Sequence, residues 1–262
     1  MPFFIEGIVK MTQCLELVTY CNNLLESGAF SDYCPNGLQV EGRSEVKRVV
    51  TGVTASQALI EAAAAKGADM LLVHHGYFWK GEAAPVTGLK QRRIKALLEH
   101  GINLVAYHLP LDAHAKLGNN VQLAQLLGWH ITGGLEPTNP RSIGLQGELS
   151  EAVSGAELAQ QLNVALGREP LFINGHGRPV KRIAWCTGAA QGYIEKAVAL
   201  GVDAFITGEV SEPTIHIARE CGINFYAAGH HATERYGVKA LGDHLAEQFG
   251  IEHQFIDIDN PV

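Results

Sequence analysis

Two short stretches of this chain carry side chains of the types that bind metal ions in proteins. His74 and His75 are adjacent and follow an apolar run, and His230 precedes Glu234 by four residues. On a helix, residues four apart share one face, with Cβ atoms about 5 to 6 Å apart, so His230 and Glu234 form a chelating pair. Mixed imidazole and carboxylate ligands suit zinc, iron, manganese or nickel better than calcium. The residue types therefore predict that the protein binds divalent metal ions.

Three more polar residues stand at comparable points of the chain. Asp112 lies in the loop that begins with His108, and Glu209 has in the second half of the chain the place that His75 has in the first. We predict Asp112 to be a further metal ligand, and His108 and Glu209 to be catalytic residues. Glu209 would serve as a substrate-binding group or general base, although the same residue equally suits a cap for the following helix.

Isolated patterns of these kinds are usually packing or surface features, but here they occur in a sequence that repeats itself. The matching segments keep their order and approximate spacing, which indicates that one α/β unit was duplicated. The matched pairs are Val46–Val49 with Val180–Ile183, Thr51–Gly52 with Thr187–Gly188, Lys66–Asp69 with Leu200–Asp203, and Gly101–Asn103 with Gly222–Asn224.

The elements of each copy must position these side chains. Short apolar runs alternate with helical stretches, which predicts βαβ crossovers and hence mainly parallel sheets. The fold class is therefore α/β, with two similar lobes, and the metal-capable residues fall at the carboxyl ends of strands, where open α/β sheets bind ligands. We predict an N-terminal lobe over 1–130, with 1–10 as an extension, a linker with one helix and one strand over 131–179, and a C-terminal lobe over 180–262.

Composition and charge limit the range of functions. The chain has 262 residues, of which 47% are hydrophobic and 18% charged, as in soluble globular proteins. A net charge of -7 argues against a broad nucleic-acid-binding surface. Five cysteines, an odd number without a C-x-x-C pair, fit a reducing compartment. Since we find neither a secretory signal nor an apolar run of the ~20 residues that span a membrane, we predict a cytoplasmic protein without membrane contact.

Five motifs together resemble one known family along nearly the whole chain. The family is the GTP cyclohydrolase 1 type 2 family, also called the NGG-interacting factor three family, in its short bacterial form. The motifs are Pro35–Gly42 (PNGLQVEG), Val73–Gly76 (VHHG), His108–Asp112 (HLPLD), Thr207–Glu209 (TGE) and Gly229–Glu234 (GHHATE).

The resemblance implies a dinuclear metal site between two similar lobes. Carried onto this sequence, His75 and Asp112 hold one divalent ion, His74 and His230 hold the other, and Glu234 bridges both. The resemblance also implies a homo-oligomer in the form of a hexameric ring, and an activity that opens the imidazole ring of guanine in GTP.

Two hypotheses about function follow. The first is a hydrolase in which two metal ions activate water against a nucleotide or a related heterocycle, so that the partner is a small molecule. The second is a non-catalytic metal-binding or partner-binding regulatory protein, because each candidate catalytic residue can also support a metal ligand. The standard phosphate-binding loops are absent from the sequence, so we expect no nucleotide binding through them.

Overall fold

The computed structural model describes residues 11–262, which form two compact units. The first lobe contains the described residues up to Pro110 together with Val238–Ile258. The second lobe contains Leu111–Gly237 and Asp259–Val262. The predicted extension, residues 1–10, lies outside the described residues.

The first lobe is built on a five-stranded sheet with a separate two-stranded ribbon. Helices alternate with the central strands, as the sequence predicts. The elements are β1 (Thr12–Gln13), α1 (Cys14–Leu24), a 3-10 turn (Ser27–Ala29), β2 (Gly37–Val40), β3 (Glu45–Val46), β4 (Arg48–Thr54), α2 (Gln57–Ala65), β5 (Met70–His75), α3 (Gly88–His100), β6 (Asn103–Ala106) and α4 (Leu109–Ala113), the last of which continues into the second lobe.

The second lobe is built on a six-stranded sheet, and the chain then returns to the first lobe. The elements are α5 (Asn119–Leu127), β7 (His130–Gly134), β8 (Leu145–Val153), α6 (Gly155–Leu166), β9 (Leu171–Ile173), β10 (Val180–Cys186), a 3-10 turn (Gln191–Tyr193), α7 (Ile194–Leu200), β11 (Ala204–Thr207), α8 (Glu212–Glu220), β12 (Asn224–Ala227), α9 (His230–Thr233), α10 (Arg235–Phe249) and β13 (Glu252–Phe255). No helix within residues 11–262 is long and apolar enough to cross a membrane.

The two sheets share a core of four strands, and both are mainly parallel in this core, which agrees with the predicted α/β class. The first has the order β13-β4-β5-β6-β2 and the second the order β7-β8-β10-β11-β12-β9. In each lobe three adjacent strands are parallel, β4-β5-β6 or β10-β11-β12, and a strand from earlier in the chain pairs antiparallel with the third. The parallel strands are nearly continuous runs of buried residues, as expected where helices cover both faces.

The repeated segments of the sequence fasten the amino ends of these strands. The Asp69 carboxylate accepts hydrogen bonds from the backbone N–H groups of Lys47 (2.8 Å) and Arg48 (2.9 Å). In the second lobe the Asp203 carboxylate does the same for the backbone N–H groups of Lys181 (3.0 Å) and Arg182 (2.9 Å) in β10. Much of the repeat is therefore structural and lies at the end of the sheet opposite to the predicted ligands.

The lobes divide the chain at other points than the predicted boundaries. The segment 131–179, predicted as a linker, supplies β7, β8, β9 and α6 to the second lobe, and β8 pairs with β10 along most of its length. The last strand, β13, was assigned by the sequence to the C-terminal lobe, yet it pairs in parallel with β4 of the first lobe. Both differences have one physical cause, because strand pairing joins segments that are far apart in the sequence.

Candidate metal site

In the first lobe the two adjacent histidines end the central strand of a parallel sheet. His74 is completely buried, and its Nδ1 lies 2.9 Å from the backbone oxygen of Tyr107, at the end of the neighbouring strand. His75 is partly exposed, and its Nδ1 lies 3.2 Å from Oγ1 of Thr54, its register partner on β4. The two ring centroids are only 4.7 Å apart. The end of the strand therefore brings both imidazoles to one place, although neighbours in a regular strand point to opposite faces.

His108 belongs to the same group of histidines. Ligand-capable nitrogens of His74, His75 and His108 all lie within 4.8 Å of one another. The ring of Trp79 also stands beside this group, with its centroid 5.1 Å from that of His108 and 5.9 Å from that of His75. His74 and His75 in this cluster can bind divalent cations, since neutral histidine is a common metal ligand, and His108 stands beside them.

The segment 32–42, which is rich in turn-forming residues and includes β2, holds this cluster in place. Oδ1 of Asn36 accepts the backbone N–H of His108 at 2.8 Å. Oε1 of Gln39 accepts the backbone N–H of Tyr77 at 2.7 Å, directly after Gly76. A Cβ on Gly76 would lie 2.1 Å from the same oxygen, so only glycine fits there. These contacts give the segment a positioning role.

In the second lobe the acidic candidates are buried around the turn that follows β10. Oδ1 of Asp112 accepts hydrogen bonds from Nδ2 of Asn119 (2.9 Å) and from the hydroxyl of Thr187 (3.4 Å). The next residue, Gly188, has a φ of +72°, and a Cβ there would lie 2.1 Å from Oε1 of Glu234 and 3.2 Å from Nε2 of His230. The three candidate ligands of this lobe thus surround one turn, with Asp112 and Glu234 only 7% and 2% exposed.

His230 lies between two carboxylates. Its Nε2 is 3.1 Å from Oε2 of Glu234, four residues on, which agrees with the spacing argument, and its Nδ1 is 2.7 Å from Oε1 of Glu209. Burial alone would lower the pKa of His230, but the hydrogen bonds and charges of Glu234 and Glu209 raise this pKa to about 9. The surroundings of this imidazole are therefore strongly anionic and favour a cation.

Each lobe thus brings together its own share of the predicted residues. The first gathers His74, His75 and His108, and the second gathers Asp112, His230 and Glu234, with Glu209 bound to His230. Sequence reasoning missed Asp32, whose Oδ1 lies 2.7 Å from Nδ1 of His108. The only signal for Asp32 was its place at the start of the turn-rich segment.

Comparison with known proteins gives matches along nearly the whole chain. A family model described as Duf34/NIF3 (NGG1p interacting factor 3) matches residues 12–261. A Pseudomonas aeruginosa protein named GTP cyclohydrolase 1 type 2 homolog is 62% identical over 246 residues, which are 94% of this chain and 97% of that protein. A Yersinia pestis protein of the same name is 59% identical over 249 residues, 95% and 99% of the two chains.

Solved structures match with the same coverage. A protein described as ybgI, of unknown function, superposes with a TM-score of 0.92 at 54% identity, over 96% of this chain and 100% of that one. The protein TTHA1606 from Thermus thermophilus superposes with a TM-score of 0.87 at 35% identity, again over 96% and 100%.

Proposed function

Because the chain belongs to the Duf34/NIF3 family, we propose that it is a dinuclear metal-dependent hydrolase that acts on a nucleotide or a related heterocycle. The observation that carries the proposal is how the candidate histidine ligands are held. In His74, His75 and His230 alike, Nδ1 contacts an oxygen, which belongs to a backbone carbonyl, a hydroxyl and a carboxylate respectively. Such contacts fix the orientation of metal-binding histidines and leave Nε2 as the ligand nitrogen.

We propose the ligand assignment that the family resemblance implies. His75 and Asp112 would hold one ion, His74 and His230 the other, and Glu234 would bridge both. The donor set of imidazole nitrogens and buried carboxylates fits zinc, iron, manganese or nickel. Two such ions, when bound, supply a water of lowered pKa and stabilise the charge that develops on the substrate.

The remaining candidates act around these ligands. Glu209 contacts Nδ1 of His230 at 2.7 Å, so its first role is to orient that ligand, and a further role toward substrate is part of the proposal. His108 is the candidate for proton transfer, because its ring stands beside the His74 ring, with centroids 5.1 Å apart. The name of the relatives, GTP cyclohydrolase 1 type 2 homolog, makes GTP the first substrate to test.

The same contacts favour a second candidate function, a non-catalytic metal-binding or partner-binding regulator. Glu209 is placed as the support of a metal ligand, which a protein without catalysis would need equally. The family description, an NGG1p interacting factor, points in the same direction. The two candidates differ in one observable, the turnover of a nucleotide by the metal-loaded protein.

The experiment compares the purified protein with its Glu234→Ala variant. We expect elemental analysis to find two divalent ions per wild-type chain, and a panel of GTP and other nucleotides to reveal a hydrolysed substrate. Glu234→Ala should lose both the ions and at least about 100-fold in turnover, because a buried bridging ligand serves both ions. The exposed Glu247 on α10 provides the control, and Glu247→Ala should keep both properties. Two bound ions without turnover across the panel would favour the regulator.

We propose a homo-oligomer for the assembly, a hexamer by the family resemblance. Light scattering of the purified protein should then give a mass about six times that of the 28.2 kDa chain. A mass equal to that of one chain would contradict this part of the proposal.

A further inference from the structure

Residues of one short segment, Asp32–Asn36, hold His108 by hydrogen bonds to its side chain and backbone. Oδ1 of Asp32 lies 2.7 Å from Nδ1 of His108, while Oδ2 accepts hydrogen bonds from the backbone N–H of Leu109 (3.0 Å) and from Nδ2 of Asn36 (2.9 Å). The Asp32 side chain is only 3% exposed. Asp32 therefore fixes both the imidazole and the backbone beside it.

The charge of Asp32 determines which nitrogen of His108 carries the hydrogen. Burial alone would raise the pKa of Asp32, but the hydrogen bonds from His108, Asn36 and the Tyr33 amide lower this pKa to about 2. The carboxylate is thus ionised at neutral pH and can only accept a hydrogen bond. Nδ1 of His108 must donate it, and in the neutral ring Nε2 is then the acceptor.

Neighbouring aromatic rings hold the plane of the imidazole. The indole of Trp79 meets the His108 ring edge to face, at 5.1 Å between centroids and 83° between planes. The phenol ring of Tyr33 also meets the His108 ring edge to face, at 6.4 Å between centroids and 64° between planes. With the Asp32 contact, these rings restrict rotation of His108 beside the His74 and His75 pair.

A third metal site at this place is the competing explanation. Ligand-capable atoms of Asp32, Cys34 and His108 do lie within 4.8 Å of one another. Burial and the charge of Asp32 raise the pKa of the Cys34 thiol to about 12, so Cys34 is a neutral thiol in the metal-free protein. The two oxygens of Asp32 already contact four nitrogen atoms, so they serve as hydrogen-bond acceptors rather than as metal ligands.

We propose that Asp32 is a positioning residue, which holds His108 as the Nδ1–H tautomer and presents Nε2 as an acceptor beside the candidate metal ligands. The inference rests on the proposed hydrolase function. In that reaction an O–H bond of the attacking water breaks, its proton passes to Nε2, and the water oxygen bonds to the electrophilic atom of the substrate. The bond between that atom and the leaving group then breaks, the leaving group keeps the electron pair and takes the proton from Nε2, and His108 returns to its starting state.

The test combines the Asp32→Asn variant with a spectroscopic readout. Nitrogen-15 spectra of the zinc-loaded protein, with His108→Gln used to assign the His108 signals, should show the Nδ1–H tautomer in the wild type. Asp32→Asn keeps the shape but removes the charge, so the tautomer signal should shift and kcat on the best nucleotide of the panel should fall about 10- to 100-fold. KM and metal content should stay within about twofold, because Asp32 touches neither substrate nor metal in this account.

The first lobe offers a matched control, the pair of Asp243 and His253. Oδ1 of Asp243 lies 2.8 Å from Nδ1 of His253, which repeats the contact away from the candidate site. Asp243→Asn should alter the His253 signal and leave kcat unchanged.

Three results would overturn the positioning role. They are an Nε2–H tautomer in the wild type, a loss of bound metal in Asp32→Asn, or a fall in kcat without a change of tautomer. The first is read on the wild type, so it does not depend on the folding of a variant. If the wild type turns over no nucleotide, the proposed function fails, whereas the tautomer measurement still decides what Asp32 does.

Discussion

At the scale of single residues, the candidate site depends on a glycine beside the ligands as well as on the ligands themselves. Gly188 stands where a Cβ would lie 2.1 Å from Oε1 of Glu234, and its φ of +72° is strained for other residues. The residue types and spacing of His74, His75, His230 and Glu234 are enough to predict that these residues bind metal ions. The need for glycine beside them appears only once β10 and α9 are folded together.

We predict that Gly188→Ala weakens the site and the fold together. The new methyl group must displace the carboxylate of Glu234, and the left-handed backbone costs alanine about 1–2 kcal/mol. Bound metal, measured by elemental analysis, should fall by more than half, and the unfolding temperature should drop. Gly192→Ala is the control, because nothing lies within 4 Å of a Cβ at Gly192. A Gly188→Ala protein that keeps its full metal content would contradict the geometry.

Contacts between residues that are far apart in the sequence could not be predicted. Asp32 is 76 residues away from its partner His108, and nothing in the local sequence indicates that the two meet. The sequence predicts Glu209 as a catalytic or capping residue, and its contact with Nδ1 of His230 could not be read from the sequence. A residue type predicts what a side chain can do, but its partner is set by the packing of distant elements.

At the scale of elements, polar contacts join the last strand, β13, to elements from other parts of the chain. His253 of β13 is 4% exposed in its side chain, and its ring nitrogens contact Oγ1 of Thr51 on β4 and Oδ1 of Asp243 on α10, both at 2.8 Å. The segment 131–179 shows the same dependence on distant partners. The sequence predicted a linker there, but β8 and β9 each pair with another strand of the second sheet.

We predict that His253 makes the protein less stable in mild acid. Burial lowers the pKa of His253. The hydrogen bond and charge of Asp243 partly offset this shift, and the charge of Lys239 adds to it. The unfolded chain, with a histidine pKa of about 6.5, therefore binds a proton more readily than the folded protein. The contribution of neutral His253 to the free energy of unfolding is fully present above about pH 6.5. It is lost as the pH falls from there toward the lower pKa of the folded protein.

The measurement is the free energy of unfolding in urea from about pH 7 down to about pH 5, across the histidine pKa. The wild type should lose more stability over this range than His253→Gln, which keeps a hydrogen-bonding side chain but cannot titrate. His100→Gln, at an exposed site, should follow the wild type. Equal slopes for the wild type and His253→Gln would refute the assignment.

At the scale of the whole molecule, the two copies of the repeat agree in residues that support the fold and differ in residues of the candidate site. The repeated aspartates, Asp69 and Asp203, fasten the amino ends of equivalent strands in the same way. At the carboxyl ends the copies differ, since the first ends its second parallel strand in His74–His75 where the second has Thr207–Glu209. The sequence predicted the repeat from its matching segments, and the α/β class from the alternation of apolar runs and helical stretches. It misplaced the lobe boundaries because strand pairing is not local.

We propose that ligands from both halves of the chain hold two metal ions. The decisive measurement is anomalous diffraction from crystals of the purified protein, recorded at the absorption edge of the metal that elemental analysis finds. We expect two anomalous peaks per chain, roughly 3.5 to 4 Å apart, each about 2.0 to 2.3 Å from ligand atoms of His74, His75, Asp112, His230 and Glu234. A single peak, or peaks bound to other residues, would contradict it.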